Sequence, residues 1–217
     1  NETEERHKDG SLYTVQQTIT PLQGETNEIA HYISIQEDVS AQKLAEQRIQ
    51  HMAHHDALTG LPNRSLFFDR LKQAAAISKR AAKHVALLFL DLDPFKPVND
   101  SHGHTVGDAL LKAVAERLQN CVRESDTVAR IAGDEFTVIL PRIDHRADAT
   151  VVAEKIVKSI SEPFLIDGHT IHIGVSIGIA LYPDDALDEQ ELIRLADEAM
   201  YDAKHHGRNT YRFHTPA

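Results

Sequence analysis

Two aspartates one residue apart end the longest uninterrupted apolar run of the chain. Asp91 and Asp93 follow residues 85–90, which are enough for one buried strand. Side chains at positions i and i+2 of a strand lie on the same face, so these carboxylates share one. Paired carboxylates suit Mg²⁺, which prefers hard oxygen ligands and usually keeps phosphate oxygens in its shell. Aspartates are also common in the turn after a strand, and this feature alone favours neither interpretation.

A second acidic pair, Asp134 and Glu135, lies at the tip of an apolar hairpin predicted over residues 127–140. Two adjacent carboxylates at such a tip are unfavourable unless a positive charge lies nearby. Gly133 permits the backbone to approach a ligand closely. By itself the pattern is typical of an ordinary Gly-Asp turn. Beside another acidic pair on a neighbouring strand, it becomes a candidate two-metal site.

The elements that must position these acids alternate regularly after residue 64. Apolar periodicity predicts helices and strands in this part of the chain. This order predicts an α/β (α+β) sandwich, in which helices cover a mixed, largely antiparallel sheet. The predicted helices are 65–83, 107–121, 148–161 and 188–206, and the predicted strands are 84–91, 127–131, 136–140, 171–175 and 176–181.

The first 39 residues show a different pattern. Residues 1–10 are charged, and two partly alternating segments, 13–21 and 29–35, flank the turn-prone stretch 22–28. This pattern predicts a β-hairpin. Because two strands alone are marginal in water, we expect them to belong to a larger sheet.

A helix is predicted to run from this hairpin to Met52, with Asp38 or Ser40 as its cap. Ala45 and Ile49 join Met52 in a narrow apolar stripe. The stripe fits a helix packed on its own domain and a short coiled coil between two copies equally well, because about two heptads are too few to decide.

The composition is that of a soluble globular protein. The chain has 217 residues and a formal net charge of −10, with 41% hydrophobic and 26% charged residues. These values exclude disorder and a collagen-like fibre, and the acidic balance argues against a nucleic-acid polymer or a membrane surface as partner. A single cysteine, Cys121, fits a reducing, cytoplasmic compartment. The start of the chain lacks a signal peptide and an initiator Met, so we expect a piece of a longer protein.

Four ordered segments resemble the GGDEF domain of diguanylate cyclases, from about His54 to Phe213. They are DALTGLPNR at 56–64, DLDPFKPVNDSHGHTVGD at 91–108, AGDEF at 132–136 and ADEAMYDAKHHGRN at 196–209. The resemblance implies a palm-like, ferredoxin-like fold related to that of nucleotidyl cyclases. It also implies that two GTP molecules are condensed to cyclic di-GMP with release of two pyrophosphates. Each subunit would hold one GTP, so a homodimer is needed for catalysis.

The resemblance also implies the metal site. Asp91 and Asp134 would bind Mg²⁺ or Mn²⁺ with help from the backbone carbonyl of Leu92. Glu135 would complete this site or help to deprotonate the 3′-hydroxyl. In such metal-assisted phosphoryl-type transfer, positioning and charge neutralisation supply most of the rate.

Other matched residues would hold GTP. Asn99 and Asp108 would bind the guanine edge, although the same residues could satisfy turns or cap a helix. Lys204 and Arg208 would hold the terminal phosphates, although charges at a helix C-terminus also complement its dipole. The implied substrate-binding residues are Phe95, Lys96, Asn99, Asp108, Gly133, Lys204 and Arg208.

Arg123 and Asp126 resemble the Arg-x-x-Asp inhibitory site of the family, where cyclic di-GMP binds. Arginine is well suited to paired contacts with guanine and phosphate. The alternative interpretation is a surface ion pair after a helix, which would add little stability.

One position departs from the family pattern. Ala132 stands where the family usually has glycine, and its methyl group would be unfavourable if the turn required a positive φ there. The retained acids favour an active enzyme. The alternative is a catalytically silent GTP-binding module that regulates an adjacent domain, such as an EAL phosphodiesterase domain.

The chain is therefore predicted to contain three parts. Residues 1–39 resemble the C-terminal end of a PAS sensor domain, residues 40–53 form a signalling linker helix, and residues 54–217 form the GGDEF domain. The PAS resemblance is shorter and less specific than the GGDEF one.

Overall fold

A computed structural model describes residues 2–23, 29–81 and 83–215. The chain divides into two compact units, Asn1–Ala53 and His54–Ala217. The first unit is built on a three-stranded antiparallel sheet, in the order β1-β2-β3. Its elements are β1 (Glu2–Arg6), β2 (Leu12–Gln23), β3 (Ile29–Asp38) and α1 (Ser40–His54).

The predicted hairpin is confirmed by the pairing of β2 with β3. Part of its predicted turn, residues 24–28, lies outside the described residues. Strand β1 was not predicted, because its charged sequence shows no apolar alternation; it pairs with β2 from Glu2 to Arg6.

Helix α1 begins where the sequence predicts it. Asp38 caps its entry by accepting the backbone N–H of Ser40 at 2.9 Å, whereas the Ser40 hydroxyl accepts the backbone N–H of Thr14 on β2. In the predicted apolar stripe, Ala45 and Met52 are exposed, and the side chain of Ile49 lies outside the described residues. The stripe is therefore not packed on its own unit at those two positions.

The second unit is an α+β domain with helices on both faces of a five-stranded sheet. The strand order is β10-β9-β4-β6-β5, and its pairs are antiparallel except β10 with β9. A separate two-stranded hairpin joins β7 to β8. The elements in chain order are α2 (Arg64–Ala81), β4 (His84–Asp93), α3 (Lys96–His102), α4 (His104–Cys121), β5 (Thr127–Ala132), β6 (Glu135–Ile143), α5 (Arg146–Ser161), β7 (Phe164–Ile166), β8 (His169–Ile171), β9 (Gly174–Tyr182), α6 (Glu189–His205) and β10 (Thr210–Phe213).

The central strand β4 is buried on both faces, which explains its continuous apolar run. Alternate side chains such as Leu88 and Leu90 pack with α4 and α5 in one core cluster. The intervening side chains, such as Leu87 and Phe89, pack with α2 and α6 in a second cluster. The predicted mixed, largely antiparallel sheet flanked by helices is thus confirmed.

Glycine at position 178 brings α6 close to the sheet. A Cβ there would lie 2.0 Å from the carbonyl oxygen of Ala196 and 2.1 Å from the backbone nitrogen of Met200. Such distances are far inside van der Waals contact, so only glycine permits this approach. The C-terminal end of α6 consequently lies against the end of β4.

Several element boundaries differ from the sequence prediction. Strand β4 extends to Asp93, and α4 begins at His104 rather than 107, after the short helix α3, which was not predicted. The two predicted strands 171–175 and 176–181 are wrong, because residues 174–182 form the single strand β9. Strands β7, β8 and β10 were also missed; each is four residues or shorter.

Candidate active site

Strand register brings the two predicted acidic pairs together. Asp91 lies directly opposite Glu135 on β6 and opposite Ser176 on β9. Directly opposite residues of antiparallel strands share a face of the sheet. Asp134 belongs to the tight turn that joins β5 to β6, one residue before Glu135. Residues 91, 134 and 135 therefore meet at one edge of the domain.

A lysine from α6 lies against these acids. The Lys204 ammonium is 2.8 Å from a carboxylate oxygen of Asp91, and both side chains are largely buried. Burial raises the pKa of Asp91 above its usual range; Lys204 opposes this shift, and repulsion from Asp134 adds to it. The ion pair explains why this carboxylate can remain in a partly desolvated position.

Glu135 experiences a similar environment. Burial is the largest cause that raises its pKa, and repulsion from Asp91 and Asp197 adds to it. The repulsive contributions, which are smaller than that of burial, show that several carboxylates lie near one another at this edge and leave a surplus of negative charge there. A bound cation would compensate that surplus.

The donor set fits a divalent cation that is shared with phosphate. Within the described residues, no group of three His, Cys, Asp or Glu side chains converges closely enough to hold a metal ion by itself. Mg²⁺ commonly uses one or two carboxylates and takes further oxygens from substrate phosphates. Asp91, Asp134 and Glu135 are the carboxylates at this edge that could take part in such a shared site.

The two predicted guanine-binding residues lie on the consecutive helices α3 and α4. Asn99 lies on α3, and its side-chain oxygen covers Gly107, where a Cβ would be only 1.9 Å away. Asp108 follows Gly107 and is exposed beyond the first turn of α4, so it does not cap this helix. The structure thus places the Asn99 amide beside the segment that carries Asp108.

The predicted phosphate-binding residues lie in three places: the turn into α3, the end of α6 and the turn between β5 and β6. Phe95 is buried at the turn between β4 and α3, and Lys96 is exposed as the first residue of α3. Lys204 lies in the last turn of α6, and Arg208 lies just beyond that helix, with its Nε 3.7 Å from Asp93. Gly133 has a φ of +52° in the turn before Asp134.

Ala132 does not strain the turn. It is the last residue of β5 and lies opposite Glu135. Among the described residues, the non-glycine positions with positive φ are Asp167, Arg208 and Asn209. In this turn Gly133 has the left-handed conformation and residue 132 does not, so an alanine at position 132 has no conformational cost.

An arginine that sequence reasoning did not assign to the site fixes this turn. Arg130 donates from Nε and Nη2 to the carbonyl of Gly133 at 2.9 and 2.8 Å, and from Nη1 to Asp56 at 2.9 Å. Burial raises the pKa of Asp56, but hydrogen bonds from Thr59 and the Arg130 charge outweigh it, and the net pKa is lowered. The partners are 74 residues apart, and no sequence signal pairs them.

Arg123 and Asp126 lie away from the acidic edge, beside a cavity of about 480 Å³. Asp126 accepts the backbone N–H of Arg123 at 2.9 Å. In the part of the chain that the structure describes, no ion pair joins their side chains, so the surface ion-pair interpretation is not supported. Arg70 and Arg142 line the same cavity.

Fold and site define an α+β domain of the nucleotidyl-cyclase-like class. The crystal structure of the GGDEF domain of TpbB from Pseudomonas aeruginosa superposes with a TM-score of 0.72 at 41% identity, covering 73% of this chain and 99% of that one. A second structure, the coiled coil and GGDEF domain of DgcB from Caulobacter crescentus in complex with c-di-GMP, gives a TM-score of 0.72 at 29% identity, with 81% and 93% coverage.

Sequence comparison agrees with the structural one. Residues 53–210 match the family model described as diguanylate cyclase, GGDEF domain. The chain therefore belongs to the GGDEF family. The bifunctional diguanylate cyclase/cyclic di-GMP phosphodiesterase MucR of Pseudomonas aeruginosa is 52% identical over 169 residues, which are 78% of this chain and 24% of MucR. This chain thus spans about a quarter of the length of that relative.

No helix in the described ranges combines the length and the apolar character needed to cross a membrane.

Proposed function

We propose that this chain is a metal-dependent diguanylate cyclase. It would condense two GTP molecules to cyclic di-GMP and two pyrophosphates across a homodimer, in the cytoplasm. The observation that carries the proposal is the convergence of three separate motifs at one sheet edge: Asp91 lies opposite Glu135, and Lys204 from α6 pairs with Asp91.

The metal site would use Asp91 and Asp134, with the carbonyl of Leu92. A bound Mg²⁺ or Mn²⁺ would neutralise the triphosphate and stabilise the charge that develops during transfer. Glu135 would complete this site or accept the proton of the 3′-hydroxyl. The raised pKa of Glu135 brings it closer to the range in which a carboxylate is an effective general base.

Substrate binding would rest on residues of α3, α4 and α6. Asp108 would accept hydrogen bonds from the N1–H and N2–H₂ groups of guanine, with Asn99 beside it. Lys204 and Arg208 would bind the terminal phosphates as cations. Phe95, Lys96 and Gly133 would shape the phosphate-binding turn. Since each half-site holds one GTP, the two attacking hydroxyls require a second copy of the domain.

Product would inhibit the enzyme at the cavity beside Arg123 and Asp126. Arg70, Arg123 and Arg142 bring three positive charges to one concave surface, which the acids Glu124 and Asp126 also line. Cyclic di-GMP offers two phosphates and two guanine edges, which match arginine donors. Arg123→Ala should relieve product inhibition, and inhibition that persists would contradict the assignment.

A silent GTP-binding module is the second candidate. It is favoured by the similarity to the cyclic di-GMP phosphodiesterase NbdA of Pseudomonas aeruginosa, which is 41% identical over 170 residues and whose name gives no cyclase activity. A GGDEF domain of this kind could act by regulating an adjacent EAL domain, whereas MucR is named for both activities. In both cases residues 1–39 would be the end of a PAS-like sensor domain and residues 40–53 a signalling helix. The unstrained conformation of Ala132 favours the active enzyme.

The test is incubation of nucleotide-free protein with Mg²⁺ and GTP, followed by chromatographic separation of the products. Cyclic di-GMP in the products would support the cyclase. GTP binding without product would support the silent module. Asp134→Ala should abolish turnover, and unchanged turnover would exclude the assigned metal site.

A further inference from the structure

Asp93 is the more buried acid of the pair that ends β4. Its side chain is 7% exposed, against 14% for the side chain of Asp91. One carboxylate oxygen accepts the hydroxyl of Ser176, a fully buried residue of β9, and lies 3.4 Å from the backbone nitrogen of Asn209. The other oxygen is 3.7 Å from Nε of Arg208. This carboxylate therefore joins the central sheet to the segment that follows α6.

That segment has an unusual backbone. Gly207, Arg208 and Asn209 have φ values of +114°, +58° and +45°, so three successive residues are left-handed. The N–H of Arg208 closes α6 by donating to the carbonyl of Ala203 at 3.2 Å. Two non-glycine residues in this region are strained, and such a conformation persists only where the surroundings fix it.

The side chain of Asn209 supplies a second attachment. Its oxygen accepts the hydroxyl of Ser161 at 3.0 Å and lies 3.3 Å from the backbone nitrogen of Val175. Gly174 leaves room for this side chain, because a Cβ there would lie 2.9 Å from the Cβ and the oxygen of Asn209. The strained segment is thus held to the strand β9 and to the end of α5.

Arg208 itself has little packing to hold it. Its side chain is 66% exposed, and the contact with Asp93 uses Nε. That contact leaves the two terminal nitrogens of the guanidinium, which can form paired hydrogen bonds to phosphate. A buried carboxylate close to Nε restricts where a long, exposed arginine can lie before a ligand arrives, and it leaves the terminal nitrogens available.

We propose that Asp93 is a positioning residue for Arg208 and not a metal ligand. Together with Ser176, it holds the left-handed segment so that the guanidinium faces the terminal phosphates of the nucleotide. The proposal rests on the proposed function, which gives Arg208 the role of binding those phosphates. It separates the two aspartates of the DLD sequence: Asp91 belongs to the metal site, and Asp93 belongs to phosphate recognition.

The test compares the affinities for 3′-deoxy-GTP and GMP at one saturating Mg²⁺ concentration. 3′-Deoxy-GTP lacks the attacking hydroxyl, and GMP lacks the terminal phosphates. Arg208→Ala should weaken the binding of 3′-deoxy-GTP by about tenfold or more, which is the scale of a lost charge-assisted hydrogen bond. The affinity for GMP should be unchanged. Asp93→Asn should weaken the binding of 3′-deoxy-GTP by about three- to tenfold, and it should also leave the affinity for GMP unchanged.

The double variant of Asp93→Asn and Arg208→Ala decides between positioning and plain stabilisation. It should bind 3′-deoxy-GTP no more weakly than Arg208→Ala alone, because the positioned group is already gone. Equal weakening of both nucleotides by Asp93→Asn, or additive effects in the double variant, would overturn the proposal. An Arg208→Ala variant with unchanged affinity would instead refute the proposed role of Arg208.

Two further variants complete the design. Ser176→Ala removes a hydrogen-bond partner of Asp93 without changing Arg208. It should weaken the binding of 3′-deoxy-GTP, but not of GMP, by a smaller factor than Asp93→Asn does. This variant carries the test if Asp93→Asn does not fold, and unchanged or unselective binding by it would then overturn the proposal. Asp202→Asn removes an exposed acid of α6 and is the matched control. If this control also lost affinity for 3′-deoxy-GTP and not for GMP, the selective loss would not be specific to Asp93, and the proposal would be overturned.

Discussion

Replacing Arg130 with alanine should destabilise the second unit by about 2 kcal/mol. The Arg130 side chain is 11% exposed and pairs with Asp56, which is 24% exposed. A hydrogen bond to a charged partner contributes about 1.5–3 kcal/mol. The two bonds to the Gly133 carbonyl add less, because that carbonyl is at an exposed turn where water can replace them. Asp56 keeps both Thr59 donors in the variant, which limits the loss.

Thermal and urea unfolding followed by circular dichroism would measure this loss. For a domain of this size, about 2 kcal/mol corresponds to a melting temperature lower by about 4–8 °C. Arg130→Lys should retain less than half of the stability that Arg130→Ala loses, because lysine lacks the forked guanidinium that contacts Asp56 and Gly133 together. A double-mutant cycle with Asp56→Asn should give a coupling energy of about 1.5 kcal/mol. Coupling below about 0.5 kcal/mol, or a lysine variant equal to the wild type, would refute this reasoning.

The pair of Arg130 and Asp56 also makes the stability of the second unit depend on pH. Asp56 has a pKa below its usual range, because its hydrogen bonds and Arg130 outweigh the effect of burial. A lowered pKa in the folded state gives stability that is present above the unfolded value of about 3.9 and is lost as the pH falls through the folded pKa. The coupling between Arg130 and Asp56 should therefore be constant from neutral pH to about pH 5 and disappear in stronger acid.

Three other predictions follow from the geometry of the site. Glu135→Gln should stabilise the metal-free protein by about 0.5 kcal/mol, since it removes repulsion with Asp91 in a partly solvated position; a lower melting temperature would contradict this. Gly178→Ala should cost about 3 kcal/mol or more, because its Cβ would collide with the backbone of α6; a urea midpoint equal to that of the wild type would show that α6 can shift at no cost. Ala132→Gly should leave the rate of cyclic di-GMP formation unchanged within about twofold, a factor worth about 0.4 kcal/mol, since position 132 needs no positive φ; a marked gain would show that the methyl group limits activity.

The larger elements of the second unit could be predicted because burial dictates their sequences. Strand β4 reads as a continuous apolar run, since helices cover both its faces. Helices α2, α4, α5 and α6 each show an apolar face of helical period. Strands β7, β8 and β10 could not be predicted, because segments of three or four residues carry too little periodicity. Helix α3 could not be predicted because Val98 is its one buried residue. β10 exists because Thr210 to Phe213 find a parallel partner in β9.

The acids of the site could be predicted from residue type and motif, but their partners could not. The i and i+2 spacing placed Asp91 and Asp93 on one face, and the structure shows both facing the end of α6. Their partners differ, Lys204 for the first and Ser176 with Arg208 for the second. These partners are more than 80 residues away in sequence, and only the sheet order β9-β4-β6 and the close approach of α6 bring them together.

Core packing consequently controls the charge balance of the site. Lys204 reaches Asp91 because α6 lies against the sheet, and α6 can lie there because Gly178 has no side chain. If alanine at 178 pushed the helix outward by even one ångström, the ammonium would lose its 2.8 Å contact while Asp91 stayed partly desolvated. The raised pKa of Asp91 would then rise further, because the largest opposing cause is the hydrogen bond from Lys204. Gly178, a residue in the middle of a strand and outside every motif, therefore contributes to the charge balance of the acidic edge through the position of α6.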